Sequence, residues 1–118
     1  MRGALRSLLL AVAMPLLAHH STSAFDMDHA VTVTGVVTKF YWANPHSYVD
    51  LDVASSHGVE HWRIEMDAVN FLRHQGWAKD TLKIGDRISC TGARAKDPEE
   101  HTLKSVNVDL PDGRKLKS

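Results

Sequence analysis

Two stretches of alternating polar and apolar residues, joined by a short turn, constrain the fold of this chain more than any other feature. Residues 49–53 and 62–66 carry apolar side chains at every second position, and Ser47 continues the first series. A period of two is typical of a strand that buries one face and exposes the other. Ser55-Ser56-His57-Gly58 lies between the stretches and has the composition of a tight turn. The sequence therefore predicts an antiparallel hairpin with one face in the core.

The apolar positions of this hairpin also predict its register. When the two apolar faces are set together, Leu51 lies opposite Trp62 and Val49 lies opposite Ile64. One interpretation of the other face is a solvated surface with ion pairs worth about 0–1 kcal/mol each. A second interpretation is a functional surface. The pairs predicted on that face are Asp50 with Arg63, Asp52 with His61, and Tyr48 with Glu65.

Three further strands and one helix are predicted around the hairpin. Residues 31–42 are rich in β-branched and aromatic side chains around Gly35, which indicates a long strand with a bulge or sharp bend. Asp67 can cap a short helix that Gly76 ends. Two more strands follow, at residues 88–92 and 103–108. The order β-β-β-α-β-β is that of a five-stranded OB barrel, whereas a ferredoxin-like fold would need a helix after the first strand.

The two ends of the chain differ from the domain between them. Arg2 and Arg6 precede an apolar run at residues 8–18. This pattern is typical of a cleaved secretory signal peptide, and the run is shorter than the roughly 20 residues that span a membrane. We expect residues 1–18 to be removed. Residues 19–118 are then expected to form a single domain without a membrane span, ending in a frayed basic tail.

The net charge bears on nucleic-acid binding, and the cysteine count bears on disulfide formation. The chain has 14 basic and 14 acidic residues, and removal of the leader with its two arginines leaves a formal net charge of −2. This charge argues against the clustered basic surface that nucleic acids require. Cys90 is the only cysteine, so no internal disulfide can form. It alternates onto the inward face, which predicts an inert buried thiol. We expect a monomer.

The histidines that follow the leader form the candidate metal site. Cleavage after Ala18 would make His19 the amino terminus, and its α-amine and imidazole together can chelate a metal. A nitrogen-rich planar ligand set favours Cu(II). If processing instead left Ala18 first, the third-position His20 could bind copper with the amine and two amides. In the hairpin register His46 lies diagonally from Glu65. The copper hypothesis therefore names His19, His20, His46 and Glu65 as ligands.

The candidate ligand face combines aromatic and charged side chains: Trp42, Tyr48, Asp50, His61 and Arg63. Aromatic rings beside polar groups form stacking platforms for bases or sugars, and they also occur as plain packing at strand ends. His57, His74 and His101 are expected to be solvated, and His29 has no evident partner. The sequence contains no nucleophile elbow, phosphate loop or zinc motif. Nothing in it therefore favours a hydrolase or a transferase.

Several short motifs occur together along the chain. They are Ala18-His19-His20-Ser21, Trp42-x-Asn44-Pro45-His46, Trp62-x-x-Glu65, Leu72-x-x-x-Gly76-Trp77, Leu82-x-x-Gly85-Asp86 and Asp112-Gly113-Arg114. This combination resembles a family of small exported bacterial proteins of unknown function. The resemblance covers residues 19–116 and implies a periplasmic protein with an OB-like domain. It implies no activity, substrate or catalytic residue.

Three functions remain open from the sequence. The first is an exported, non-enzymatic binding or accessory protein that binds copper through its mature amino-terminal histidine. The second is an interaction domain without a metal, whose face docks a protein or an oligosaccharide. The third is a copper-dependent oxidoreductase, because an amine–histidine chelate with an open position can activate oxygen. The expected partner is accordingly a small ligand, a metal ion or a periplasmic protein.

Overall fold

The computed structural model describes residues 22–118, so the predicted leader and the candidate ligands His19 and His20 lie outside the described residues. A short 3-10 turn, Thr22–Ala24, leads into six strands and one helix. The strands are β1 (Phe25–Tyr41), β2 (Tyr48–Ser55), β3 (Gly58–Glu65), β4 (Arg87–Ala95), β5 (Thr102–Asp109) and β6 (Lys115–Lys117), and helix α1 is Val69–His74. The prediction of a mostly β domain with a short helix between the third and fourth strands is confirmed.

The predicted count of five strands is wrong, because the carboxyl-terminal tail forms a sixth strand instead of fraying. β6 pairs antiparallel with β5, with Val108 opposite Leu116. Leu116 packs against the core, and the Ser118 N–H donates to the Val106 carbonyl oxygen at 3.0 Å. A three-residue strand with a single apolar side chain has too little alternation to be distinguished from a basic tail by its pattern.

The strands form one sheet that returns on itself. The hydrogen-bonded order is β3-β2-β1-β4-β5-β6, and β3 pairs in addition with β5. The β3–β5 pairing is parallel and places Ile64 beside Leu103, whereas the other pairings are antiparallel. Strands β1, β2, β3, β5 and β4 therefore follow one another around a closed ring, and β6 extends the sheet beyond β5.

Strand β1 changes its pairing partner in the region of Gly35. Residues up to Val36 pair with β4, and residues from Val36 onward pair with β2. A Cβ atom at Gly35 would lie 2.6 Å from the Asp52 carbonyl oxygen, so glycine is needed for this close approach of two backbones. The predicted long strand is confirmed. Its register shifts fall between Phe25 and Ala30 against β4 and between Val37 and Lys39 against β2, and neither is at Gly35.

The β2–β3 hairpin has the predicted register. The four apolar side chains that were predicted to face the core are buried, at 0–7 % exposure. A slip of one residue would have moved all four to the solvent, which is why the sequence pattern was sufficient here. The observed pairs are Val49 with Ile64, Leu51 with Trp62, Tyr48 with Glu65, Asp50 with Arg63, and Asp52 with His61.

Helix α1 begins with a different cap from the predicted one. Ala68 occupies the N-cap position without a capping side chain, and Asp67 Oδ1 accepts only the Ala68 N–H. The Val69 N–H instead donates to Asn44 Oδ1 at 3.0 Å. The prediction of Asp67 as the helix cap was wrong, because the oxygen that accepts the Val69 N–H belongs to the β1–β2 loop, which is remote in sequence. Gly76 follows the helix with φ at 96°, as predicted for its end.

The core joins side chains from all five strands of the ring with those of α1. Leu72 of α1 is fully buried. Trp77, just after the helix, is also buried, and its Nε1 donates to the Lys117 carbonyl oxygen at 2.7 Å. This bond ties the end of the helix to β6. In the part of the chain that the structure describes, no helix is long and apolar enough to cross a membrane.

Candidate functional site

A polar groove of about 450 Å³ lies on the outer face of the β2–β3 hairpin. The segment between β4 and β5 forms its other side, and Trp62 contributes to its wall. We call this cavity the hairpin groove. Its polar lining consists of Thr38, Asp50, His61, Arg63, Glu99 and His101. The structure thus brings three residues of the predicted ligand face, Asp50, His61 and Arg63, to one cavity.

Arg63 and Asp50 form a two-point ion pair in the wall of the groove. Arg63 Nε lies 2.8 Å from Asp50 Oδ1, and Nη2 lies 3.0 Å from Oδ2. The hydrogen bonds and charge of the guanidinium lower the pKa of Asp50, and Asp50 raises the pKa of Arg63. Both groups are therefore charged at neutral pH. Because the pair is bidentate, it holds donors and acceptors in a fixed plane.

Two tyrosine rings flank the Arg63 guanidinium. Its central carbon lies 5.1 Å from the centre of the Tyr41 ring and 5.5 Å from that of Tyr48. The ammonium group of Lys39 lies 4.7 Å from the Tyr41 ring centre. Burial raises the pKa of the Tyr48 hydroxyl, and the charge of Glu65 adds to this effect. Tyr48 therefore stays protonated at neutral pH and lies beside the groove.

Two exposed histidines pair with carboxylates. His61 Nδ1 lies 2.6 Å from Asp52 Oδ1 at the groove, and their side chains are 82 % and 41 % exposed. Such an exposed pair adds little to stability, but it presents polar atoms to a ligand. His29 Nδ1 lies 3.0 Å from Asp26 Oδ2. The expectation that His29 lacks a partner was therefore wrong.

His101 has specific partners, so the expectation of a solvated side chain was wrong. Its Nε2 lies 2.9 Å from Glu60 Oε2. Its ring stacks on that of Trp62, with 5.1 Å between the ring centres and 12° between the planes. The His101 carbonyl oxygen accepts the Arg63 N–H at 2.9 Å. Sequence patterns missed this group because β3 and the segment before β5 meet only through the parallel closure of the ring.

His46 and Glu65 lie close together, as the diagonal register predicts. His46 Nδ1 is 3.5 Å from Glu65 Oε1 and 3.2 Å from the Met66 carbonyl oxygen. Glu65 is only 5 % exposed, and Lys104 Nζ lies 3.7 Å from the same carboxylate oxygen. No motif or local pattern in the sequence singles out Lys104. A proton on Nδ1 that is shared with these oxygens leaves the Nε2 lone pair available to a metal.

The other candidate metal ligands, His19 and His20, lie outside the described residues. Among residues 22–118, no group of three or more His, Cys, Asp or Glu side chains could hold a metal ion. Within the described residues, His46 and Glu65 are therefore not part of a group of three such ligands.

Trp42 lies apart from the other residues of the predicted ligand face. It is partly buried against the core, and its ring meets that of Phe40 edge-on with the centres 5.8 Å apart. Tyr41, the last residue of β1, instead lies against Arg63, so Tyr41 rather than Trp42 stands beside the groove.

Cys90 is fully buried in the core. Burial raises the pKa of its thiol to about 12, so the group is protonated and inaccessible at neutral pH. The predicted burial of this thiol is confirmed.

Comparison with known proteins gives a family without an assigned function. No curated protein matches the chain. A model described as a family of unknown function, DUF6152, matches residues 7–104. This agrees with the resemblance to a family of unknown function that the sequence motifs suggested. Because the match spans most of the sequence, the chain belongs to the DUF6152 family.

Proposed function

We propose that this chain is an exported, non-enzymatic binding protein whose domain is an OB barrel and whose hairpin groove binds an oligosaccharide. The observation that carries the proposal is the groove itself. Side chains of β1, β2, β3 and the β4–β5 segment line one polar cavity of about 450 Å³. This volume is within the range of about 300–1,000 Å³ that is usual for small-molecule sites.

The strand connectivity supports the barrel assignment. β1 pairs with both β2 and β4, and the ring is completed by the β3–β5 pairing. A five-stranded ring with a helix between β3 and β4 has the element order of an OB barrel. In such barrels, the face of strands 2 and 3, together with the loops around it, binds oligonucleotides and oligosaccharides. The hairpin groove occupies this face.

The side chains of the groove suit a sugar in particular. Sugar hydroxyls need donors and acceptors in fixed positions, and the Arg63–Asp50 pair provides both in one plane. Sugar rings also have apolar faces that stack on aromatic rings, and Tyr41 lies next to the pair. A polyanion is disfavoured, because Asp50 and Glu99 line the same cavity. The signal-peptide pattern of residues 1–18 supports export.

The proposal is tested by titrating residues 19–118 with chitotriose, cellotriose and maltotriose in a calorimeter. We expect saturable binding of at least one trisaccharide. The Arg63→Ala variant should weaken it by roughly tenfold or more, since a charged hydrogen bond contributes about 1.5–3 kcal/mol. Arg114→Ala is the matched control, because Arg114 pairs with Asp112 away from the groove. Equal affinities of the wild type and Arg63→Ala would refute the assignment of this groove.

Copper binding is a second candidate function, favoured by the 3.5 Å approach of His46 Nδ1 to Glu65 Oε1. In this case the freed amino terminus of His19 and the imidazole of His20 supply the remaining ligands. If such a centre kept an open coordination position, it could also support oxidoreductase chemistry. Turnover by the copper-loaded protein in the presence of a reductant would be needed to establish that activity.

The copper candidate is tested by the intact mass of the exported protein, with and without added copper. We expect a chain that begins at His19 and gains one copper ion. A variant with three extra residues before His19 should lose most of its affinity, because His19 and His20 then both lie beyond the third position and neither can chelate copper together with the terminal amine. His74→Ala, which changes an exposed histidine of α1, is the control. Unchanged copper affinity in the extended variant would refute the terminal chelate.

A further inference from the structure

The indole of Trp62 is buried, but its polar atom has no hydrogen-bond partner. Trp62 is 7 % exposed, and within residues 22–118 its Nε1 donates to no other group. Buried donors are almost always satisfied, so an unsatisfied one next to a cavity calls for a specific explanation. Trp62 forms part of the wall of the hairpin groove. The residue that carries the unused donor therefore borders the proposed sugar site.

The side chain that covers Trp62 can move without disturbing the backbone. His101 stacks on the indole and pairs with Glu60. Both members of this pair are about one-third exposed, at 34 % and 32 %. The backbone of His101 is held separately, by the Arg63 N–H that donates to its carbonyl oxygen. The Arg94 guanidinium also lies over the indole, with its central carbon 5.1 Å from the ring centre. Rotation of the imidazole would thus uncover only the part of the indole that His101 covers, and it would leave the β3–β5 closure intact.

We propose that Trp62 and Glu60 form a stacking subsite for one sugar ring, and that the His101 imidazole occupies this subsite in the free protein. The inference rests on the proposed oligosaccharide function and adds a defined position to it. A pyranose ring can make the same two contacts as the imidazole, with the indole and with the Glu60 carboxylate. It presents a flat apolar face to an indole, and its hydroxyl groups can donate to the Glu60 carboxylate in place of His101 Nε2.

The subsite is continuous with the hairpin groove, because both Trp62 and His101 line that cavity. One sugar ring at Trp62 and the next at the Arg63–Asp50 pair would place an oligosaccharide across the hairpin. Since His101 must leave before the ring enters, its side chain competes with the ligand. Removal of that side chain should therefore strengthen sugar binding.

The test compares the wild type with His101→Ala and follows the Trp62 indole N–H signal by NMR. Imidazole is the first probe, because it can refill the place vacated by the side chain. It should shift the Trp62 signal in His101→Ala and leave the wild type unchanged. The three trisaccharides are the second probe. Loss of one stacking competitor should raise the affinity of the variant roughly tenfold. His74→Ala is the control and should behave as the wild type.

The possible outcomes separate this inference from the function on which it rests. Imidazole that fails to reach Trp62 in His101→Ala would overturn the subsite, whatever the wild type binds. Entry of imidazole with unchanged trisaccharide affinity would also overturn it, while binding by the wild type would preserve the proposed function. Entry of imidazole with no sugar binding to either protein would refute the oligosaccharide function and this inference together. Entry of imidazole with tighter sugar binding supports both.

Discussion

Individual glycines determine how closely the strands of the ring can approach. Gly92 stands at the register shift of β4 against β5, and a Cβ atom there would collide with the Lys104 carbonyl oxygen. Gly35 makes a similar approach to the Asp52 carbonyl oxygen. The sequence identifies the glycines, but the facing carbonyl groups belong to other strands. The cost of replacing either glycine can therefore be inferred only from the assembled sheet.

Gly92→Ala is expected to destabilise the domain by about 1–3 kcal/mol, the usual cost of forcing an extra carbon into packed structure. The backbone of β5, which the new methyl group would meet, cannot move aside as a flexible side chain can. Urea denaturation measures the change in the free energy of unfolding. Val106→Thr serves as a control, because Val106 is 57 % exposed on β5, and should stay within about 0.5 kcal/mol of the wild type. An equally small effect for Gly92→Ala would contradict the close packing of these strands.

The elements differ in how well their own residues predict them. The β2–β3 hairpin follows from a local pattern of period two, so its register could be derived in full. The start of α1 could not be derived in this way, because its first N–H is capped by Asn44 from the loop before β2. An adjacent aspartate, Asp67, was the only cap that a local reading could suggest. Elements are therefore predictable to the extent that their hydrogen-bond partners are close in sequence.

Asn44→Ala is expected to lower the free energy of unfolding by about 1 kcal/mol, the usual cost of losing a helix cap. Asn44→Asp keeps a side-chain oxygen at the same place and should retain most of the stability. Asp67→Ala should cost less than Asn44→Ala, since Asp67 accepts only the N–H of its neighbour Ala68. Thermal denaturation of the three variants gives the order of their stabilities. A larger loss of stability for Asp67→Ala than for Asn44→Ala would identify Asp67 as the helix cap, as the sequence suggested.

The Asp50–Arg63 pair should stabilise the hairpin in a pH-dependent way. Arg63 lowers the pKa of Asp50 in the folded state below the ordinary 3.8. The stabilisation is therefore complete above the unfolded pKa and is lost as the pH falls through the lower folded value. A double-mutant cycle with Asp50→Asn and Arg63→Gln should give a coupling of at most about 1 kcal/mol at pH 7, because Arg63 is half exposed. A coupling that grows in acid would contradict this assignment.

For the whole molecule, sequence patterns predicted the type and order of most elements but not the contacts between distant ones. Periodicity was enough for the long first strand and the hairpin. The sixth strand has a single apolar residue, Leu116, and offered no such signal. The parallel pairing of β3 with β5 joins segments that α1 and β4 separate in the sequence, and no local pattern encodes it. His101 and Lys104 reach the site through that closure, which explains why both were missed.

The most direct test of the oligosaccharide function is an NMR titration of uniformly ¹⁵N-labelled residues 19–118 with the trisaccharide that binds best. The amide signals that shift should belong to the groove side of β2 and β3 and to the β4–β5 segment, with Asp50, His61, Arg63 and His101 among them. Signals of the distant β6 should stay in place. Shifts confined to residues away from the hairpin groove, or no shift with any of the three sugars, would contradict the account.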